Sequence, residues 1–403
     1  MTSTFRCCVF SLLVMLVLHP SLAAAEEETA PNQLTAEQIA EGWISLFDGE
    51  TLFGWTPTSD ANWKVKEGSI TVSEGEQGFL MTNSEFGDYE LHVEVQGLVG
   101  TNSGVFLQTP LTPKDPAKDC YELNVAPADN PFPTGSLVGR IKNPQMALSH
   151  MVNAGREVPA DSFDVRVSQG TVTVVMNGGS PMTYADTEPL KRGHIGLQFR
   201  EGPVAFRNIR LKPLGLQPML NGEDLAGWND DQKKTSTFAV TPEGELRVTN
   251  GSGQLESDAT FGDFTLQFET RVDGDGLNSG VFFRCIPREY MNGYECQISN
   301  RITDGDPTKP TDFGTGAIYR RIAARRVNAR DHEWFMTTLV ATGPHIAVWV
   351  NGLQVTDWTD QRPPNDNPRS GLRTAAGTIS LQGHDPTTDI RFRNMRIGEL
   401  PQN

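Results

Sequence analysis

Polar and apolar residues alternate along several short segments of this chain. Tyr89–Val95 and Phe264–Thr270 alternate residue by residue, as strands with one buried face do. Residues 171–176 and 345–350 each run into an Asn-Gly pair, which is a strong signal for a hairpin turn. Short alternating segments separated by turn residues, with hardly any helical periodicity, predict an all-β sandwich or jelly roll.

The N-terminal region has a different pattern. Residues 1–25 combine Arg6, an apolar stretch and a run of three alanines, which is the layout of a secretory signal peptide. The apolar stretch is shorter than the ~20 residues that a membrane anchor needs. We therefore expect an exported protein, periplasmic or secreted, with no membrane anchor in the mature chain. An acidic leader at residues 26–41 follows, and the capping-box spacing of Thr35 and Gln38 predicts a short helix there.

The sequence also contains an internal repeat. Five motifs recur in the same order, at offsets between 173 and 186 residues, and the late increase in offset marks an insertion in the second copy. We predict two tandem jelly-roll domains, at residues 42–213 and 214–403, joined by a short Pro/Gly connection. The paired motifs begin at Phe47 and Leu220, Phe86 and Phe261, Asn102 and Asn278, Asn177 and Asn351, and Phe206 and Phe392.

Charge and cysteine content narrow the function. The formal net charge is −16, which argues against a nucleic-acid partner because phosphates attract basic surfaces. Three cysteines follow the signal segment, and their spacing predicts neither a disulfide scaffold nor a zinc site. Cys285 and Cys296 flank a turn-like segment, so they are either a cross-strand disulfide or two buried thiols.

Strand alternation in the second copy places several polar side chains together. If the cysteines face the core, Arg284, Glu295 and Gln297 share one open surface. A guanidinium, a carboxylate and a carboxamide there could grip the hydroxyl groups of a sugar. An ordinary solvated sheet face carrying an Arg–Glu pair has the same pattern, so the residues alone leave both interpretations open.

A later strand adds two more candidates. Gln382 has outward parity, and His384 follows at the strand end. An accessible imidazole there could act as an acid, a base or a metal ligand, although a loop histidine can also be incidental.

Taken in order, the second-copy motifs resemble a known family. They are Asn-Ser-Gly with an Arg four residues later, Gly-Tyr-Glu-x-Gln, Thr-Gly-x-x-Tyr, Leu-Gln-x-His and Phe-Arg-Asn-x-Arg. They resemble the 3-keto-disaccharide hydrolase family, formerly a domain of unknown function and also described as 3-keto-glucoside 1,2-lyase and 3-keto-2-hydroxy-glucal hydratase. The resemblance covers nearly the whole mature chain, twice, and implies a concanavalin-like jelly-roll fold.

The resemblance also implies a reaction. A ketone at C3 of a glucoside acidifies the hydrogen at C2, so a base can remove that hydrogen and the C1 substituent can leave by elimination. Addition of water then completes a net hydrolysis. On this basis Glu295 and His384 are expected to transfer protons, and could also hold a divalent metal. The residues expected to bind the 3-keto-glycoside or its enolate are Arg284, Gln297, Tyr319 and Gln382.

The first copy differs at these positions. It keeps Glu122, Asn124 and Gln198 as sugar-binding candidates, but Gln108 stands where the second copy has Arg284, and Arg200 replaces His384. We expect the second domain to be the better catalyst, unless Arg200 and the following glutamate rebuild a working site. The alternative for the whole protein is a non-catalytic, lectin-like module that binds glycans.

Overall fold

The computed structural model describes residues 30–97, 100–127, 129–145 and 160–401. The predicted signal peptide and the first residues of the acidic leader lie outside them. Within the described part, no helix has the length and apolar character needed to cross a membrane. Helix α1 is Ala36–Glu41, and the predicted capping box is present because the Thr35 hydroxyl accepts from the Gln38 N–H while the Gln38 side chain accepts from the Thr35 N–H.

The first half of the described chain forms two antiparallel sheets packed on a shared core. One sheet has the order β11-β10-β9-β6-β13-β4-β3, with β1 also paired to β13, and the other has the order β2-β5-β12-β7-β8. The strands are β1 Ile44–Ser45, β2 Trp55–Pro57, β3 Lys64–Lys66, β4 Ser69–Val72, β5 Gly78–Thr82, β6 Tyr89–Gly97, β7 Asn102–Thr109, β8 Tyr121–Val125, β9 Asp161–Ser168, β10 Thr171–Met176, β11 Met182–Ala185, β12 His194–Glu201 and β13 Val204–Pro213.

The second half repeats this plan strand for strand. Its sheets have the orders β16-β17-β28-β19-β24-β25-β26, with β14 on β28, and β15-β18-β27-β20-β21, and a two-stranded ribbon β22-β23 is added. The fold class, two tandem all-β jelly-roll sandwiches, is confirmed. The strands are β14 Gln217–Pro218, β15 Trp228–Asn229, β16 Thr237–Val240, β17 Leu246–Thr249, β18 Gly253–Ser257, β19 Phe264–Val272, β20 Ser279–Cys285, β21 Tyr294–Ile298, β22 Ile302–Thr303, β23 Asp306–Pro310, β24 Trp334–Thr342, β25 His345–Val350, β26 Leu353–Thr359, β27 Thr378–Gly383 and β28 Asp389–Glu399.

Both Asn-Gly pairs form the predicted hairpins, between β10 and β11 and between β25 and β26. Asn351 and Gly352 have φ angles of 47° and 75°, which suits a turn with two left-handed central residues. The same pair in the first half also has positive φ at both positions. The hairpins fix the register of the neighbouring strands and therefore which side chains face the core.

The two halves pack against each other through a partly apolar contact. Trp349 on β25 is buried among the core residues of the first half, and its indole N–H donates to the Ser45 carbonyl at 3.0 Å. An ion pair joins Arg192 Nη1 to Asp263 Oδ2 at 2.7 Å. On the side of the second half, the contact therefore involves β25 of the larger sheet and Asp263, the residue before β19.

Candidate active site

The five-stranded sheet of the second half carries polar side chains on the face turned away from the core. Phe282 on β20 pairs with Ser380 on one side and Glu295 on the other. Gln297 follows two residues after Glu295 on β21, and Gln382 lies on β27. We call these five residues the outer face. Strand alternation therefore places Glu295 and Gln297 on one face as predicted, but both side chains are buried, so the prediction that this face is open is wrong.

A cavity of about 240 Å³ opens at one edge of the outer face. The carboxylate residue Glu295 and the aromatic residue Tyr319 both line it, although 24 positions separate them in sequence. An isolated bridge between Cys296 and Ile318, together with a 2.9 Å hydrogen bond from the Tyr319 N–H to the Glu295 carbonyl, fixes this neighbourhood. The full lining, which we call the Glu295 cavity, is Gly293, Tyr294, Glu295, Ile318, Tyr319, Arg320, Arg321, Pro368 and Arg369.

Glu295 has the environment of a proton-transfer group. Only 7% of its surface is exposed, and burial raises the pKa of its carboxyl to about 7, against the opposing effect of Arg369 and Arg320. A carboxyl with a pKa near the working pH is suited to general acid–base catalysis. No N–H or O–H of the described residues donates a hydrogen bond to this carboxylate, so it is available to a ligand.

The raised pKa of Glu295 has a consequence for stability. The folded state binds the proton more tightly than an unfolded chain, whose glutamates titrate at the ordinary pKa of 4.5. The resulting stabilisation is fully present below pH 4.5 and is lost as the pH rises through about 7. A carboxylate that lowers stability at neutral pH is typical of a functional site.

Three cationic side chains of the Glu295 cavity were missed by the sequence analysis. They are Arg320 and Arg321, which directly follow Tyr319, and Arg369, which comes from the long connection between β26 and β27. Arg369 also lies over the Phe282 ring, with 5.5 Å from its guanidinium carbon to the ring centroid. The late increase in the repeat offset marks inserted residues in the region that contains Arg369, but it does not show where they lie, and it gives no signal for Arg320 or Arg321.

The predicted carboxamides lie beside the cavity without lining it. Gln297 donates to the Asp312 carboxylate at 3.1 Å, and the Gln382 amide nitrogen contacts the Met291 sulfur at 3.3 Å. Their side-chain oxygens, and the Ser380 hydroxyl, are buried without a partner among the described residues. Because buried polar atoms normally form hydrogen bonds, we expect these oxygens to accept from a donor such as water or a sugar hydroxyl.

The structure corrects the placement of Arg284. A bulge interrupts the pairing of β20 with β27 between Phe282 and Cys285, and Arg284 has a φ of 48°. The extra residue inverts the alternation, so Arg284 is fully buried, with Nη2 2.9 Å from the Asp263 carboxylate. Its other donors bond backbone carbonyls, including that of Gly262. The prediction of an open, substrate-facing guanidinium is wrong.

The same bulge changes the direction of the Cys285 side chain relative to that of Cys296. Cys285 packs with Phe282 and Met291, whereas Cys296 lies in the core between the sheets. The prediction that both point into the core therefore fails for Cys285, and of the two alternatives left by the sequence, the structure has free, buried thiols.

His384 lies apart from Glu295. It is an exposed residue after the end of β27, and its Nδ1 is 2.8 Å from the Asp385 carboxylate. Two strand spacings and four residues along β27 separate it from Glu295, which amounts to ~16 Å between the Cα atoms. The two residues therefore do not form a common metal site, and no cluster of three or more His, Cys, Asp or Glu suited to a metal occurs in the described residues.

The first half has a related but different site. Burial raises the pKa of Glu122 to about 7, with Arg200 acting in the opposite direction. Asn124 donates to the Phe132 carbonyl, and the Gln198 side-chain oxygen is buried without a partner among the described residues. The equivalent of Tyr319 is Val138, so the first half keeps the carboxyl group and loses the phenol.

A family model described as a 3-keto-alpha-glucoside-1,2-lyase-like domain matches residues 42–212 and again residues 215–398. The chain belongs to this family. The family resemblance predicted from the motifs is therefore confirmed, and the protein is a carbohydrate-active protein similar to 3-keto-disaccharide hydrolases. A 3-keto-disaccharide hydrolase of Bacteroides thetaiotaomicron is 28% identical over 252 residues, which is 48% of this chain and 84% of that relative.

Two solved structures are similar to part of this chain. A candidate glycosyl hydrolase of Parabacteroides distasonis is 19% identical with a TM-score of 0.39, over 46% of this chain and 100% of that chain. A carbohydrate-binding module of Bacillus subtilis is 18% identical with a TM-score of 0.31, over 43% of this chain and 96% of that chain. At these values neither structure bears on the function of this protein.

Proposed function

We propose that this protein is an exported enzyme that cleaves 3-keto-glycosides by elimination and hydration, with the second domain as the better catalyst. The observation that carries the proposal is the Glu295 carboxylate, which is buried in a cavity, unpartnered among the described residues, and has a pKa near 7. The family match and the hydrolase relative support the substrate class.

The chemistry follows from the groups that line the cavity. With the C2–H bond of a 3-keto-glycoside directed at Glu295, the carboxylate takes the proton and the electron pair becomes an enolate on the C3 oxygen. Donors that favour a developing negative charge lower the barrier to this step, and the guanidinium groups of Arg320, Arg321 and Arg369 supply a positive field. Collapse of the enolate forms the C1–C2 double bond and expels the C1 substituent.

The leaving group needs a proton, and the product needs water. Tyr319 lines the same cavity, and its hydroxyl can donate to the departing oxygen. Water then adds to C1 and gives its remaining proton to the Tyr319 oxygen, and the Glu295 carboxyl returns its proton to C2. Both groups are restored, and elimination followed by hydration equals hydrolysis of the glycosidic bond. His384, about 16 Å from Glu295 by strand geometry, has no part in this scheme.

The preference for the second domain rests on the contrast between the copies. Both have a buried glutamate with a pKa of about 7. Only the second places a phenol and three guanidinium groups beside it among the described residues. The first domain, with Gln198 and Glu122 on the equivalent face, is better suited to holding a sugar than to expelling its C1 substituent.

The direct test is incubation of the mature protein with an aryl 3-keto-glucoside and with its 3-hydroxy parent. The proposal predicts release of the aryl alcohol from the keto compound alone, because the parent lacks the acidified C2 hydrogen. Binding of both compounds without release from either would support a lectin-like module instead.

A further inference from the structure

The connection between β26 and β27 lies at the edge of the Glu295 cavity. It differs from the equivalent connection of the first half, which joins β11 to β12. In each half it starts at an aspartate that accepts a hydrogen bond from a tyrosine, which is Asp186 with Tyr121 in the first half and Asp360 with Tyr294 in the second. It ends at a glycine bridged to a phenylalanine, Gly193 or Gly377. Six residues lie between these points in the first half and sixteen in the second.

In the first half, the aspartate at the start of the short connection forms an ion pair with an arginine. Arg140 Nη1 is 2.7 Å from the Asp186 carboxylate, and both side chains are buried. The guanidinium stacks over Tyr121, at 4.4 Å from the ring centroid. This arginine therefore has a carboxylate partner and adds no net charge to the surface.

In the second half, the longer connection removes that partner. Its own Arg362 occupies the Asp360 carboxylate with two hydrogen bonds of 2.8 and 2.7 Å. Arg321, the equivalent of Arg140, instead donates to the backbone carbonyls of Arg320 and Arg369. The burial of Arg321 and the nearby Arg362 lower the pKa of its guanidinium, as expected where positive charges gather.

The connection also adds a cation of its own. Arg369 donates through Nε to the Met291 carbonyl at 2.8 Å, and neither terminal nitrogen of its guanidinium donates a hydrogen bond to the described residues. Among the described residues, none of Arg320, Arg321 and Arg369 forms an ion pair with Asp or Glu. Three positive charges therefore face a cavity whose carboxyl is Glu295.

The proposed reaction does not require three positive charges beside Glu295. Proton transfer moves one negative charge from Glu295 to the enolate oxygen, so the cavity holds one negative and three positive charges before and after the step. Arg320 and Arg369 are exposed at the rim of the cavity, so their guanidinium groups are accessible to a group on the substrate that takes no part in the reaction. A planar guanidinium binds a carboxylate or a sulfate with two parallel hydrogen bonds.

We propose that the Glu295 cavity selects 3-keto-glycosides that carry an anionic group, a carboxylate or a sulfate, which Arg369 and Arg320 bind. This inference rests on the proposed function and names its substrate class. The anion completes the charge balance of the cavity and holds the sugar with C2 toward Glu295. Neutral 3-keto-glycosides lack this anchor and bind more weakly.

The test compares three aryl 3-keto-glucosides that differ only in the aryl ring: phenyl, 4-carboxyphenyl and 4-sulfophenyl. For the wild-type protein we expect kcat/KM to be about tenfold to hundredfold higher for an anionic compound than for the phenyl compound, as for a hydrogen bond to a charged group. Comparing the carboxylate with the sulfonate, which stands in for a sulfate, shows which anion the cavity prefers.

Matched variants assign the effect to the cavity. Arg369→Gln and Arg320→Gln should each reduce the anionic-to-neutral ratio of kcat/KM toward one. The control is Arg330→Gln, since Arg330 is an exposed arginine paired only with Glu333 at 3.8 Å in the described chain, and it should keep the wild-type ratio. Equal kcat/KM for neutral and anionic compounds, or a ratio unchanged in both cavity variants, would overturn the inference while leaving the proposed function intact.

Binding separates the two proposals if no compound is cleaved. Calorimetric titration with the unoxidised 4-carboxyphenyl and phenyl glucosides measures affinity without turnover. Tighter binding of the anionic glucoside, weakened by Arg369→Gln and by added salt, would support the anionic preference although the proposed reaction had failed. Equal affinity for both would reject the preference as well.

Discussion

Gly280 offers a way to move the Glu295 carboxylate without removing it. A Cβ added at Gly280 would lie 2.8 Å from Oε1 and 2.9 Å from Cγ of Glu295, whereas ordinary contacts begin at 3.4 Å. Gly280 does not have a positive φ, so the backbone accepts alanine. The side chain of Glu295 must therefore shift by about 0.5 Å or more, since an end of a flexible side chain yields before a paired strand does.

The expected result of Gly280→Ala is a fall in kcat. A misplacement of about 1 Å in a catalytic group can reduce the rate ~100-fold, so a shift of half that size should reduce kcat with an aryl 3-keto-glucoside by roughly 10- to 100-fold. KM should change less, because the guanidinium groups that hold the substrate are untouched. Release of the aryl alcohol, followed by absorbance under single-turnover and steady-state conditions, measures both.

The equivalent glycine of the first domain supplies the control. At Gly104 a Cβ would meet the Leu123 carbonyl at 3.1 Å, but Cγ of Glu122 only at 3.4 Å. Gly104→Ala therefore stresses the backbone without displacing the carboxylate, and we expect near-normal kcat. Full kcat in Gly280→Ala, with the carboxylate displaced in its crystal structure, or a larger effect of Gly104→Ala would contradict the proposed role of Glu295.

Three further predictions concern pH, a buried ion pair and the thiols. Because ionising Glu295 lowers stability as the pH rises from 4.5 to about 7, Glu295→Gln should stabilise the protein at pH 8 by at most about 3 kcal/mol and should not at pH 4.5, as measured by urea unfolding; equal shifts at both pH values contradict this. Arg284→Ala, which leaves Asp263 with one cationic partner fewer, should lower the free energy of unfolding by roughly 3–5 kcal/mol, and a normal unfolding midpoint with raised KM would restore Arg284 to the substrate site. Burial raises the pKa of the Cys285 and Cys296 thiols to about 12, so both should react with maleimide only after unfolding, and protection that persists in non-reducing denaturant would indicate a disulfide.

Much of the fold could be predicted because it depends on local patterns that recur. Alternation along Phe264–Thr270 and the Asn351-Gly352 turn specify strands and hairpins within a few residues of sequence, and the repeat shows that one plan is used twice. Glu295 and Gln297 follow from the same alternation. Such inferences hold wherever the strand is regular.

Arg284 shows where this reasoning stops. Regular strand alternation predicts that its side chain lies on the open face. One bulged residue between Phe282 and Cys285 reverses which side chains face the core, and no feature of the local sequence predicts this bulge. The first domain has the same bulge at Gln108, with a φ of 46° and its amide donating to the Gly87 carbonyl. In both domains the side chain at this position therefore donates hydrogen bonds to backbone carbonyls. It is the carboxamide of Gln108 in the first domain and the guanidinium of Arg284 in the second.

The cavity arginines could not be predicted for a different reason. Arg369 reaches Glu295 through a connection without regular structure, so no periodicity predicts its position. Arg321 is left without a carboxylate partner because Arg362 occupies Asp360, which lies 39 positions beyond Arg321 in the sequence. The pairing of these arginines and aspartates depends on the three-dimensional structure, so the sequence alone does not predict it.

The most direct test of the central claim is the pH dependence of kcat/KM for an aryl 3-keto-glucoside, measured for the wild type, Glu295→Gln and Glu122→Gln. If Glu295 is the base, the wild-type value rises with pH through an apparent pKa near 7, Glu122→Gln keeps that rise, and Glu295→Gln loses both the rise and nearly all of the rate. Full activity with an unchanged profile in Glu295→Gln would contradict the assignment of the reaction to this carboxylate.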